Sequence, residues 1–158
     1  PKSKKLFTTN GIFSEKELEA RMEIRFENYV KQIQIESRVL GDMILTQVLP
    51  AAIKYQKQIG KNLTQLISIG IKKDKFLVQN EIIEKIGDHV NKLYILTNEM
   101  IEKRKKANKI EDLNKRASAY HSIKEKFDDI KYNSDKLEQI ISDEYWPIPK
   151  YRELLFIK

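Results

Sequence analysis

Two histidines, His89 and His121, are the side chains best suited to move protons or ligate metals near neutral pH. A di-iron helical bundle needs inward-facing Glu-x-x-His pairs, but Ile86 and Ser118 stand three residues before these histidines. Carboxylate doublets occur at Asp128-Asp129 and Asp143-Glu144. Neighbours on a helix point roughly 100° apart, so neither doublet can converge on one substrate atom. The five glycines stand apart from one another, which leaves no phosphate-cradling loop. No serine sits in the strand-to-helix turn of a nucleophile elbow. The absence of cysteine removes thiolate nucleophiles, thiolate metal sites and disulfides together. The residues themselves predict no catalytic, cofactor-binding or metal-binding site.

The remaining chemistry is electrostatic. Lys103-Arg104-Lys105-Lys106 with Lys109 could touch phosphates. Acids interrupt this run at Glu99, Glu102, Glu111 and Asp112, and no aromatic platform is interleaved for base stacking. The cluster reads as the cationic end of a helix, favoured by the negative end of the helix dipole. Asn62-Leu63-Thr64 has the form of a glycosylation acceptor and is expected to be idle. No apolar run is long enough to span a bilayer, and the amphipathic faces are expected to be consumed by packing rather than by a membrane surface.

The elements that carry these residues are helices. Between Pro50 and Pro147 there is no proline, and so little punctuation leaves no room for the turns of a sandwich or barrel. Ser14-Glu15-Lys16-Glu17 has the form of a capping box, with Phe13 and Leu18 placed as a hydrophobic staple. From there Met22, Phe26, Tyr29, Ile33, Leu40, Ile44 and Val48 mark one helical face. Pro50 lacks an amide donor and its ring meets the turn before it, near Thr46, so the first helix is expected to be kinked or broken there. Ile53, Ile59, Leu63, Leu66 and Ile67 continue the stripe to about Gly70. A third stripe runs through Phe76, Ile83, Ile86, Val90, Leu93, Thr97, Met100 and Arg104. The fourth, Leu113, Ala117, Tyr120, Phe127, Ile130, Leu137 and Ile141, is expected to reach Tyr145.

Such stripes predict an all-α fold, an antiparallel bundle of long helices with a short C-terminal tail rich in proline and aromatic residues. The length of 158 residues suits one domain. We expect an extended lead-in at 1–13, the helical bundle at 14–145 and a docking tail at 146–158. The tail concentrates the only tryptophan, Trp146, with Tyr151, Leu154 and Phe156, which are the candidate docking residues. The charged fraction of 34% fits wide solvated helix faces, and a net charge of +7 permits an acidic partner. Lys2, Lys4 and Lys5 precede no apolar signal core, so a cytoplasmic protein is expected. On these grounds the chain reads as a bundle with a scaffolding or interaction role. A stand-alone interaction module is the alternative, and a nucleic-acid binder a more distant one.

Four stretches also carry a resemblance. They are Gly11-Ile12-Phe13-Ser14-Glu15-Lys16-Glu17; Ile35-Glu36-Ser37-Arg38-Val39-Leu40-Gly41-Asp42-Met43 with Pro50-Ala51-Ala52-Ile53-Lys54-Tyr55-Gln56; Arg104-Lys105-Lys106-Ala107-Asn108-Lys109-Ile110-Glu111-Asp112; and Tyr145-Trp146-Pro147-Ile148-Pro149-Lys150-Tyr151-Arg152-Glu153-Leu154-Leu155-Phe156. In this order they resemble, nearly end to end, the C-terminal helical region of type III glutamine synthetases. Arg21-Met22 departs from the family, where many members carry Tyr or His. The resemblance implies a part of a glutamate–ammonia ligase that works through γ-glutamyl phosphate with ATP and a divalent cation such as Mg, and that assembles into large double rings. It implies as partners the upstream catalytic domain of the same polypeptide and neighbouring subunits, with no nucleic acid and no membrane. The family's substrate, nucleotide and metal residues lie in upstream domains, so no catalytic residue is carried over and the fragment alone is expected to be inactive. Pro1 as first residue is expected to mark a piece cut from a longer protein.

Overall fold

A computed structural model describes residues 2–156. The helices are α1 (Lys2–Thr9), α2 (Glu15–Met43), α3 (Leu49–Ser68), α4 (Leu77–Ala107), α5 (Leu113–Ile140) and the short α6 (Tyr151–Leu155). A π-helical turn, Ile44–Val48, joins α2 to α3, and a 3-10 turn, Lys73–Lys75, precedes α4. Among the described residues there is no strand, as the sparse glycine and proline predict.

The capping box forms as its sequence requires. The Ser14 hydroxyl accepts the Glu17 amide at 3.2 Å, and the Ser14 amide donates to the Glu17 carboxylate at 2.8 Å. The backbone bond from Ser14, then the one from its hydroxyl, hold the Glu17 carboxyl below its ordinary range. The lead-in is not extended, however. Residues 2–9 form a helix that Gly11 closes at φ 65. The Ile12 amide reaches the Phe7 carbonyl at 3.0 Å and the Gly11 amide reaches Thr8 at 3.1 Å, which is a Schellman closure. Lys4 then pairs with Glu19 at 3.0 Å, and Phe7 packs on Phe13 with ring centres 5.8 Å apart. Gly70, at φ 86, ends α3 by the same pair of bonds, from Ile71 to Leu66 and from Gly70 to Ile67.

Pro50 does not break its helix. Helical residues run from Glu15 to Ser68, and the disturbance lies one turn upstream, where the Leu49 amide reaches back to the Ile44 carbonyl. A wide turn just before a proline absorbs both its missing donor and the bulk of its ring. The resulting helix spans about 80 Å at 1.5 Å per residue. The fourth helix is shorter than its stripe suggested. It stops at Ile140, and Ile141 has extended backbone (ψ 133).

Three long rods therefore pack side by side. The α2–α3 rod runs antiparallel to α4, with Gln56 donating to the Ile83 carbonyl at 3.0 Å and Gln34 donating to Asn108 at 3.2 Å. The α5 rod returns antiparallel to α4, with His89 against Asn133 at 2.9 Å. Buried positions of α4 fall at Ile86, Leu93, Thr97, Met100 and Ala107, and those of α5 at Ala117, Tyr120, Ile123, Ile130, Asn133 and Leu137. Steps of three, four and seven keep one seam facing the partner helices, as in coiled-coil packing. Ile33, Ile44 and Val48 supply the third side of this core.

Candidate docking surface

The tail divides into a buried anchor and an exposed end. After Ile141, amides of Tyr145 and Trp146 return to the Ser142 carbonyl at 2.9 and 3.1 Å, and this turn swings Trp146 onto the bundle. Trp146 is 8% exposed and joins the main core, with Tyr145 and Ile148 packed beside it. Among the described residues its indole Nε1 has no acceptor, so apolar bulk is what this side chain contributes. Tyr145 meets Tyr55 of α3 with ring centres 5.4 Å apart.

Lys150 fastens the next segment. Its ammonium donates to the Glu138 and Ile141 carbonyls, both at 2.8 Å, and pairs with Asp143 at 2.8 Å. The Glu138 carbonyl belongs to the last turn of α5 and the Ile141 carbonyl follows it at the cap, where helix geometry leaves acceptors free and the dipole favours a cation. The Tyr151 amide adds a bond to the Glu138 carboxylate at 3.0 Å, and Arg152 pairs with Asp143. The tail's polar groups thus close on α5, while Leu154, Leu155 and Phe156 stay outside, the last two 79% and 78% exposed.

The four candidate docking residues therefore part company. Trp146 is an internal anchor, Tyr151 is half exposed, and Leu154 and Phe156 face outward. Tyr151 and Leu154 line a groove of about 240 Å³ together with Leu40, Trp146, Ile148 and Pro149. Leu40 also lines a second groove of about 400 Å³, with Ile35, Val39, Met43 and Phe127. Leu40 thus links the tail groove, whose other side is lined by Lys131, Asp135 and Glu138, to the exposed flank of α2. Ile35 and Val39, both exposed, lie off the buried stripe of α2 and escaped the sequence reading. Their signal is a second row at four-residue spacing, Ile35-Val39-Met43, beside the core row.

Neither histidine stands at a metal centre. His121 Nδ1 is hydrogen-bonded to the Tyr29 hydroxyl at 2.8 Å, at the edge of a groove of about 580 Å³ between α2 and α5. His89 bonds Asn133, whose amide nitrogen donates to the Asp129 carbonyl at 2.8 Å. Since that assignment turns the Asn133 oxygen toward the ring, His89 Nδ1 is the donor. Among the described residues there is no group of three or more His, Asp or Glu side chains able to hold a metal ion. No helix among them is long and apolar enough to cross a membrane.

The stretch 104–112 forms the α4–α5 corner. Tyr120 donates its hydroxyl to the Asn108 side-chain oxygen Oδ1, which also takes Gln34 at 3.2 Å. Asp112 caps α5 by accepting the Lys115 amide at 2.7 Å, and Arg116 donates to the Ile110 carbonyl at 2.6 Å. Burial pushes the Tyr120 phenol above its ordinary pKa, against the opposing charges of Arg104, Arg116 and Arg38.

Residues 1–67 match the family model described as the glutamine synthetase C-terminal domain. A glutamine synthetase of Bacteroides fragilis (strain YCH46) is 38% identical over 151 residues, covering 93% of this chain and 21% of that protein. The type-3 glutamine synthetase of Dictyostelium discoideum is 32% identical over 165 residues, covering 99% of this chain and 22% of its own length. A glutamine synthetase of Butyrivibrio fibrisolvens is 29% identical over 152 residues, covering 96% and 22%. The chain spans about a fifth of the length of the curated relatives it matches.

Proposed function

From a chain that carries the C-terminal domain of the glutamine synthetase family, we propose a noncatalytic accessory and assembly element of a type III enzyme. The parent enzyme would make glutamine from glutamate, ammonia and ATP with a divalent cation, in the cytoplasm. Its substrate and metal residues would lie outside this chain, which by itself would turn over nothing. The partners would be the catalytic domain of the same polypeptide and neighbouring subunits. One observation carries the reading. The tail is fastened to the bundle by Trp146 and Lys150, yet Leu154 and Phe156 remain outside, and Leu154 shares with Leu40 a groove that borders exposed Ile35 and Val39. Exposed apolar side chains gathered around adjoining grooves are the mark of an interaction site.

The test is Leu154→Ser with Phe156→Ser in the full-length enzyme. Residues 146–150 are kept, because removing Trp146 would damage the bundle itself. The expected result is a smaller assembly by sedimentation or a lower melting temperature, with the Michaelis constant for glutamate unchanged. An intact oligomer of unchanged melting temperature with a raised glutamate constant would refute the assembly role.

A further inference from the structure

The α2 and α4 rods bring two like charges to one level. Gln34 bonds Asn108, and the α-carbon of Gly41 lies against Met100 and Ile101, where an added Cβ would sit 3.5–3.6 Å from their side chains. Between these two fixed points of an antiparallel pair, Arg38 stands one turn from Gln34 and Arg104 one turn from Asn108. The two residues thus stand at the same level of the α2–α4 pair, Arg38 exposed and Arg104 partly buried. Both act on the nearby Tyr120 phenol, with Arg116 of α5 acting beside them.

Two cations at one level call for acids; three acids of these turns are engaged elsewhere, and among the described residues Asp42, one turn beyond Arg38, makes no ion pair with it. Glu36 accepts from Gln32 at 2.8 Å, Glu99 pairs with Lys126 at 3.4 Å, and Glu102 pairs with Lys105 at 2.7 Å. Among the described residues neither Arg38 nor Arg104 has a carboxylate within 4.0 Å. Arg104 Nη1 is moreover closed off from solvent without an acceptor. A desolvated guanidinium nitrogen lacking a partner is costly, and it is retained where something else supplies the acceptor.

We propose that Arg38 and Arg104 form a site for an oxyanion of the phosphate type. A guanidinium fork matches such oxygens in geometry. A phosphate near −2 balances both cations, whereas a single carboxylate leaves one unbalanced. The phosphate is either free or the phosphoryl group of a nucleotide. The two sources share this chemistry and differ only in what accompanies it.

The test titrates the chain with inorganic phosphate, ADP or acetate, each against sodium chloride at matched ionic strength, and reads melting temperature and calorimetric heat. Phosphate or ADP should raise the melting temperature beyond chloride, and the tighter of the two names the source. Arg104→Met should weaken that binding at least about tenfold, and Arg38→Gln should weaken it too. In chloride alone Arg104→Met should melt no lower than the parent, since it removes a buried donor without an acceptor. The site is refuted if neither phosphate nor ADP exceeds chloride, or if acetate stabilises as well as they do. It is equally refuted if Arg104→Met melts lower in chloride while binding phosphate undiminished.

Discussion

The two places where α5 meets the rest of the chain solve the same problem in opposite ways. At the α4–α5 corner the connection is short, and its polar groups close on one another. Asn108 takes Tyr120 and Gln34, Asp112 caps the new helix, and Arg116 covers the Ile110 carbonyl. At the other end the polar groups of the tail also close on α5 through Lys150, but the chain goes on to display Leu154, Leu155 and Phe156. Exposed apolar surface at the tail is therefore no sign of a poorly closed end. The helix terminus is satisfied, and the patch is additional to what the fold requires.

Three substitutions test that contrast. Trp146→Ala should have the largest effect, lowering stability by about 3–5 kcal/mol in denaturant unfolding, as for a large aromatic removed from a core. A change well under 1 kcal/mol by the same substitution would mean that the tail merely lies on the bundle. Lys150→Met should cost about 1.5–3 kcal/mol, because a charged donor to two helix-end carbonyls is lost. Its sharper reading is hydrogen exchange, which should quicken through residues 142–156 and leave the α4–α5 corner protected.

Tyr120→Phe should have the smallest effect, about 1 kcal/mol near neutral pH, since Asn108 keeps Gln34. It also has a pH signature. The folded phenol titrates above its ordinary 10.0, so the neutral form is favoured by folding. That contribution is complete below the unfolded pKa and fades as pH rises through the folded one. Between pH 9 and 11 the parent should lose more stability than Tyr120→Phe. Parallel losses would remove burial of the phenol from the account of the corner.

Much of the fold could be read directly because its causes are local. The capping box needs only Ser14 and Glu17, and the seam positions of α4 follow from spacing alone. Other readings went wrong where a neighbour had to be known. Residues 2–9 were expected to be extended, although Gly11 between Phe7 and Ile12 offered the ingredients of a Schellman end. That helix is held by Lys4 against Glu19 and Phe7 against Phe13, contacts across a turn. The α5 stripe was carried to Tyr145 because Ile141 fits the period, and it does pack in the core, but with extended backbone beyond the helix. The tail's composition predicts one docking unit, yet Trp146 is buried and Phe156 is exposed.

By itself, then, the sequence determined helix content, the seam residues and the resemblance to a glutamine synthetase C-terminal domain. Each is written in patterns within one turn or one stretch of chain. Only the tertiary structure decided that Pro50 is absorbed by the π turn before it, and that the groove of Ile35 and Val39 adjoins the tail's groove through Leu40. It alone brought Arg38 level with Arg104. The last two depend on how rods from distant parts of the chain are aligned, and that alignment is set by the packing of a shared core rather than by any residue's own preference.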